Sequence, residues 1–269
     1  MSVLEAAAGQ QALLQELFSL TGKIAVVVGG GGVLAGEMAM GFAGAGADVV
    51  IADLDEAHAM ARAREVEEQG QECAVCQADV TRKEDIRRIL DTALSRFGRV
   101  DILLNAAGIN SGTPFFEIEE QEWECILDVD LRSVFLACQV FGKAMVETKQ
   151  GGSIINISSA SSGPPLSKVF TYSVAKGGVN QITQFLAREF APYGVRVNAI
   201  QPGFFPAEQN RKLLTDERVA SIMNHTPMKR FGAPSELVGA AIYLASERAS
   251  SFVTGSILRV DGGFAAMTI

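Results

Sequence analysis

From Lys23 onward two patterns of apolar and polar positions alternate along the chain. Short, nearly continuous apolar runs recur at IAVVV (24–28), DVVIA (48–52), ECAVCQ (72–77), VDILLN (100–105), GSIINIS (152–158), VRVNAI (195–200) and SILRV (256–260). Between them, segments such as DEAHAMARAREVEEQG (55–70) and RKEDIRRILDTALSRFG (82–98) space their apolar residues three and four apart and end at glycine. Strands that are apolar along their whole length suit a parallel sheet covered on both faces, and glycine is the common helix terminator. The alternation therefore predicts an α/β fold of three layers, a doubly wound parallel sheet of about seven strands with right-handed crossovers. Residues 1–20 precede the first strand and read as an extension, a short amphipathic helix packed on the outside; residues 21–269 read as a single domain with no repeat or linker.

Composition narrows the partners. The 269 residues are 48% hydrophobic and 20% charged, with a net charge of -8, which leaves no electrostatic footprint for nucleic acid or an anionic membrane. No apolar run reaches the roughly 18 residues of a membrane span, and the N-terminus lacks the basic start of a signal peptide, so a cytoplasmic protein is expected. Four cysteines occur, and Cys73 with Cys76 makes a CxxC. A zinc site needs a second ligand pair, and neither His58 nor His225 stands at such a spacing, so these thiols read as apolar fillers of a strand and no metal site is expected.

In such a sheet, ligands settle beyond the carboxyl ends of the strands. After the first strand comes VVVGGGGVLAGEMA (26–39), in which four glycines lead into a helix. The unpaired amides of a helix N-terminus favour an anion, so Gly29, Gly31 and Gly32, with Val33 and Leu34 opening the helix, predict a pyrophosphate seat. Asp53 ends the second strand, where a carboxylate accepts the hydroxyls of an adenosine ribose. No Arg or Lys occupies the loop or residues 53–57 to neutralise a 2′-phosphate, which favours NAD over NADP. Asp79 and Val80 after the third strand, and Asn105, Ala106 and Gly108 after the fourth, fall where the adenine and its ribose would lie.

After the fifth strand, Ser158 and Ser159 precede Tyr172 and Lys176, which stand four apart on one face of a predicted helix. A phenol with a pKa near 10 is a poor base at neutral pH, and an adjacent ammonium favours its phenolate. A glycine loop, Asn-Ala-Gly, a serine and Tyr-x-x-x-Lys in this order make the chain, over residues 22 to 264, resemble the short-chain dehydrogenase/reductase family. The resemblance implies a Rossmann fold and hydride transfer between NAD(H) and a carbonyl or secondary alcohol. By the family's spacing the catalytic serine lies thirteen positions before the tyrosine, which selects Ser159. Tyr172 would then give or take the hydroxyl proton, Ser159 would hold the carbonyl, and Lys176 would bind the nicotinamide ribose and favour the phenolate. QPGFF and VDGGF resemble later signatures of the family and add Pro202, Gly203 and Phe205 to the cofactor contacts.

Three stretches depart from the family pattern. Val33 and Ala35 stand where later glycines are usual, so Gly29 to Gly32 are expected to carry the approach to the pyrophosphate. Asp130 replaces an asparagine of the proton path; ionised, it would pair with Lys176 and weaken the lysine's effect on Tyr172. Ala207 replaces a threonine that contacts the nicotinamide amide. Within the family, GGGGVLAGEMA, PGFFPAEQNRKLL and TPMKRFGAPSELVGA are most similar to the short-chain type fructuronate reductase and D-mannonate oxidoreductase group. That implies a sugar-acid substrate, carbohydrate metabolism, and Arg211, Lys212 or His225 as carboxylate partners. Polyol, gluconate-type and 3-oxoacyl substrates are the alternatives. A non-catalytic NAD sensor is opposed by the intact Ser159, Tyr172 and Lys176, and a methyltransferase leaves Tyr172 and Lys176 unexplained. The resemblance also implies a homotetramer, built through helices over 119–148 and 171–191.

Overall fold

The computed structural model describes residues 12–206 and 214–267. All seven apolar runs are strands, β1 (Ile24–Val28), β2 (Asp48–Asp53), β3 (Cys73–Gln77), β4 (Ile102–Asn105), β5 (Gly152–Ile157), β6 (Val195–Pro202) and β7 (Ile257–Val260). They form one sheet in the order β3-β2-β1-β4-β5-β6-β7, and every pairing is parallel. Residues 12–18 form α1, followed by α2 (Val33–Gly44), α3 (Glu56–Glu68), α4 (Lys83–Phe97), α5 (Glu120–Leu127), α6 (Ser133–Thr148), α7 (Phe170–Phe190), α8 (Asp216–His225), α9 (Val238–Ala245) and α10 (Glu247–Ser250).

Side chains alternate across a strand, so each strand feeds two cores. Ala25 and Val27 of β1 join Met38 and Phe42 of α2 and Leu244 of α9 on one face. Val26 and Val28 join Ile86 and Ile89 of α4 and Phe141 of α6 on the other. Each fully buried Val or Ile contributes about 1.5–3 kcal/mol, and the apolar length of every run is what lets both faces be covered. The same alternation decides the CxxC. Cys73 packs against the first core and Cys76 lies in the second, so the sheet separates the two thiols. Both are free, and burial pushes Cys73 up to about 12.

Helix ends follow local chemistry. Asp55 caps α3 by accepting from the His58 amide at 3.1 Å, and Gly98 ends α4 in the left-handed conformation at φ 77°. One element departs from simple periodicity: the helical stretch over 119–148 is broken by a π-helical turn at Asp128–Arg132. The widened turn carries Asp130 into the interior, where its side chain is fully buried. At the N-terminus α1 leaves Leu13 and Leu14 exposed, while the Leu17 carbonyl accepts from Ser246 Oγ at 2.6 Å and Leu20 is buried. Among the described residues no helix is long and apolar enough to cross a membrane, and no cluster of His, Cys, Asp and Glu could hold a metal ion.

Candidate active site

Parallel strands deliver the loops after β1, β2, β4, β5 and β6 to one edge of the sheet, and the strand order reverses between β1 and β4. The glycine loop sits at that reversal. Gly29 has φ +78°, and a Cβ there would lie 2.6 Å from the Ala107 amide nitrogen, so it lets the loop after β4 close against the loop after β1. A Cβ on Gly30 would strike Ile51, and one on Gly31 would strike Asp53 and His58, each at 2.9 Å. Three of the four glycines are thus required by neighbouring protein. Gly32 alone of the four has room, its nearest neighbour 3.4 Å away, and it is the N-cap of α2. The first amide of this region to reach back along the helix is that of Gly36, on the Gly32 carbonyl, and no acidic side chain occupies the first turn. The amides of Val33 and Leu34 therefore open on the crevice, which fits a pyrophosphate. Of Gly29 to Gly32, all expected to share that approach, Gly32 is the one with room at its Cα.

Asp53 stands at the loop's rim. Its Oδ2 accepts from the Gly31 amide at 2.9 Å and its Oδ1 from the Asp55 amide at 3.0 Å, so the carboxylate is oriented by backbone and retains lone pairs for hydroxyl donors. Two basic side chains from α3, outside the loop itself, lie nearby, His58 against Gly31 and Arg62 over Gly36. Arg62 is bound to Glu65 at 2.6 Å and His58 faces Asp55 at 3.6 Å, so each already has a carboxylate beside it.

The chemical half is built on α7. Tyr172, Lys176 and Asn180 follow at four-residue steps and share one face. Lys176 is 3% exposed; its Nζ donates to the Ile157 carbonyl at 3.1 Å, stands 3.3 Å from Asp130 Oδ2 and lies 5.4 Å from the centre of the Tyr172 ring. The Asp130 contact is an ion pair not aligned as a hydrogen bond, while the other oxygen accepts from the Ile109 amide at 2.8 Å. Burial holds Asp130 above the ordinary carboxylate range although Lys176 pulls the other way. For Lys176 burial disfavours the charge, but Asp130 and Tyr172 outweigh it and the ammonium is held above its usual range. Gly108 has a structural reason the sequence did not disclose: a Cβ there would meet Asp130 Oδ2 at 2.8 Å and Lys176 Nζ at 3.5 Å.

The two serines separate by their partners. Ser158 is 1% exposed and its hydroxyl is committed to Asn180 Oδ1 at 2.6 Å. Ser159 Oγ accepts from the Ser161 amide at 3.2 Å and from Ser161 Oγ at 3.1 Å, which leaves its own proton to donate. Asn180 Nδ2 also binds Ser162 Oγ at 2.9 Å, fastening the serine turn to the Tyr172 face. Asn180 was not singled out from the sequence; its place eight residues after Tyr172 was the available signal.

Several expected cofactor residues turn inward. The Asn105 side chain is buried and donates to Asn156 Oδ1 at 2.9 Å, bracing β4 to β5, so only its backbone faces the strand end. Asp79 Oδ1 is taken by the Thr81 amide and hydroxyl at 2.9 and 2.7 Å, and Val80 is buried. Phe205 packs into the core against Gly232, and Gly203 is held against Asp261, where a Cβ would come within 2.6 Å. Pro202 ends β6, and Ala106 donates its amide to the Val28 carbonyl at 2.9 Å. Ala207, Arg211 and Lys212 lie outside the described residues. A cavity of about 320 Å³ runs from Ala160, the residue after Ser159, and the 164–167 loop to α8 and Phe264, and His225 lines it.

A family profile described as "Enoyl-(Acyl carrier protein) reductase" matches residues 32–265. The 2-dehydro-3-deoxy-D-gluconate 5-dehydrogenase of Escherichia coli is 36% identical, over 94% of this chain and 100% of its own. The 3beta-hydroxysteroid dehydrogenase 1 of Eggerthella lenta is 39% identical, over 91% and 94%. Among solved structures, a gluconate 5-dehydrogenase from Burkholderia cenocepacia in complex with NADP and tartrate superposes with a TM-score of 0.90 at 34% identity, over 95% of this chain and 100% of the other. A Haemophilus influenza protein assigned as a D-mannonate oxidoreductase, with bound NAD, has a TM-score of 0.88 at 34% identity, over 95% and 99%. With the glycine loop, the Ser159 turn and the Tyr172–Lys176 face on one edge of this sheet, the chain belongs to the short-chain dehydrogenase/reductase family of NAD(P)-dependent oxidoreductases.

Proposed function

We propose that the protein interconverts the carbonyl and the secondary alcohol of a sugar acid of the fructuronate and mannonate kind, with NAD as the preferred cofactor. The observation that carries the chemistry is the spare hydroxyl proton of Ser159, fastened through Ser162 and Asn180 to the helix face that bears Tyr172 and Lys176. Ser159 would donate to the substrate oxygen and orient the carbonyl. Tyr172 would pass its hydroxyl proton to that oxygen during reduction and take it back during oxidation. Lys176, kept charged by Asp130, would favour the phenolate electrostatically and offer an ammonium N–H to the nicotinamide ribose. Val33 and Leu34 amides would hold the pyrophosphate and Asp53 the adenosine ribose. The bound nicotinamide supplies the hydride acceptor or donor, while the chain supplies position and charge.

The Asp53 carboxylate at the loop rim supports NAD, because a 2′-phosphate would meet a like charge, with Arg62 already paired. The sugar-acid substrate is supported by the relatives that act on gluconate derivatives and by the neighbour that holds tartrate, a hydroxy acid. The test is an NADH-oxidation panel of fructuronate, tagaturonate, 5-ketogluconate, a 3-ketosteroid, simple ketones and an acetoacetyl thioester, repeated with NADPH. Turnover is expected on a keto acid of a sugar with NADH. A preference for NADPH overturns the cofactor assignment, turnover confined to the steroid or thioester overturns the substrate, and inertness with intact NADH binding favours a sensor.

A further inference from the structure

We propose that Arg218 selects the substrate by binding its carboxylate across the cavity that begins at Ala160, the residue after Ser159. The inference rests on the sugar-acid reading above and names the residue that would enforce it. The cavity, about 320 Å³, has room for a six-carbon acid. Its near wall is the segment that links the serine turn to α7, from Ala160 to Ser167; its far wall is α8, with Phe204 and Phe264 completing it.

Most of that surface is apolar, which makes the guanidinium on it conspicuous. Arg218 is half-buried, and its fork is set by Ser167: Nη2 donates to the carbonyl at 3.1 Å and Nη1 to the hydroxyl at 3.4 Å. Both acceptors are neutral. Arg62, Arg88 and Arg230 each hold a carboxylate at 2.6–2.7 Å, whereas among the described residues none pairs with Arg218. A guanidinium positioned on neutral acceptors with no carboxylate among the described residues on it, in a largely apolar cavity, suits a planar anion. His225 lines the same cavity about two turns further along α8, its ring 4.7 Å from that of Phe264. Arg218 also ties α8 to the loop running from Ser159 to Tyr172. A neutral polyol, a steroid or an acyl thioester leaves this charge without a partner.

The test compares a six-carbon keto acid with the neutral ketose of the same length, in wild type, Arg218→Gln and Arg218→Lys. For Arg218→Gln the KM for the acid is expected to rise at least ~10-fold with kcat little changed, and the preference for acid over ketose to collapse by the same factor. Arg218→Lys, which keeps the charge and loses the fork, should recover part of that preference. Equal losses on both substrates, or a fall in kcat alone, would overturn the proposal by showing a merely structural tie to Ser167. Should Arg218→Gln not fold, the Arg218→Lys variant with an unchanged acid-to-ketose ratio overturns it equally. Wild-type failure on the acid removes the sugar-acid reading itself, whereas wild-type turnover insensitive to Arg218 removes this inference alone.

Discussion

Two carboxylates and one hydroxyl differ from their chemical twins only by what surrounds them. Asp53 is fixed by two amides at the rim, while Asp130 is sealed under the Ile109 amide beside Lys176. Ser159 keeps a proton that Ser158 has spent on Asn180. If Tyr172 is the acid and base, Tyr172→Phe should bind NADH as before, by fluorescence titration, and lose at least ~100-fold in turnover; unchanged turnover would remove it from the mechanism. Asp130 is the residue whose charge is least expected. Replacing it by asparagine keeps the shape and removes the charge that holds the Lys176 ammonium against burial. If an amide serves as well at this position, Asp130→Asn should preserve or raise kcat for alcohol oxidation at neutral pH. A large loss of kcat would show that the carboxylate has its own part in the reaction.

At the scale of elements, the glycine loop divides into packing and binding. Gly29→Ala puts a Cβ into the Ala107 backbone at positive φ, and strain of this kind costs of order 1–3 kcal/mol. Gly32→Ala meets nothing closer than 3.4 Å and keeps an ordinary extended backbone at φ -68° and ψ 160°. Thermal melting should thus fall for Gly29→Ala and stay near wild type for Gly32→Ala, while NADH affinity falls for Gly32→Ala. The reverse pattern would place the cofactor elsewhere on the loop. The π-turn at Asp128–Arg132 acts at the same scale, since a regular helix there would rotate Asp130 away from Lys176. Nothing in the apolar periodicity of 119–148 marks that turn, whereas the helices over 56–68 and 83–97 were legible from spacing and terminal glycines.

For the whole molecule, the parallel sheet brings loops far apart in the chain to one edge, and the helices that flank it leave apolar side chains outside. Phe135 on α6 and Val174 and Phe185 on α7 are 48%, 40% and 56% exposed. These helices are where the family resemblance sets the subunit contacts, and we propose a homotetramer buried over them. Light scattering should return four times the 28.6 kDa of the chain, and a monomer at micromolar concentration would overturn the assembly.

The sequence by itself determined the seven strands, their parallel packing and the residue types at their ends, because period and apolar length depend only on the local chain. It also put Tyr172 and Lys176 on one helix face, since residues four apart share a face, while the role expected of them came from the family resemblance. Tertiary structure decided which of these residues have free chemistry. Asn105 and Phe205 stand at strand ends, but their side chains pack inward. Ser159 is distinguished from Ser158, and Arg218 is brought over the cavity, by partners 22 and 51 residues distant in the chain. Hydrogen-bond capacity is shared among neighbours in space, so which donor remains unspent is a property of the folded whole.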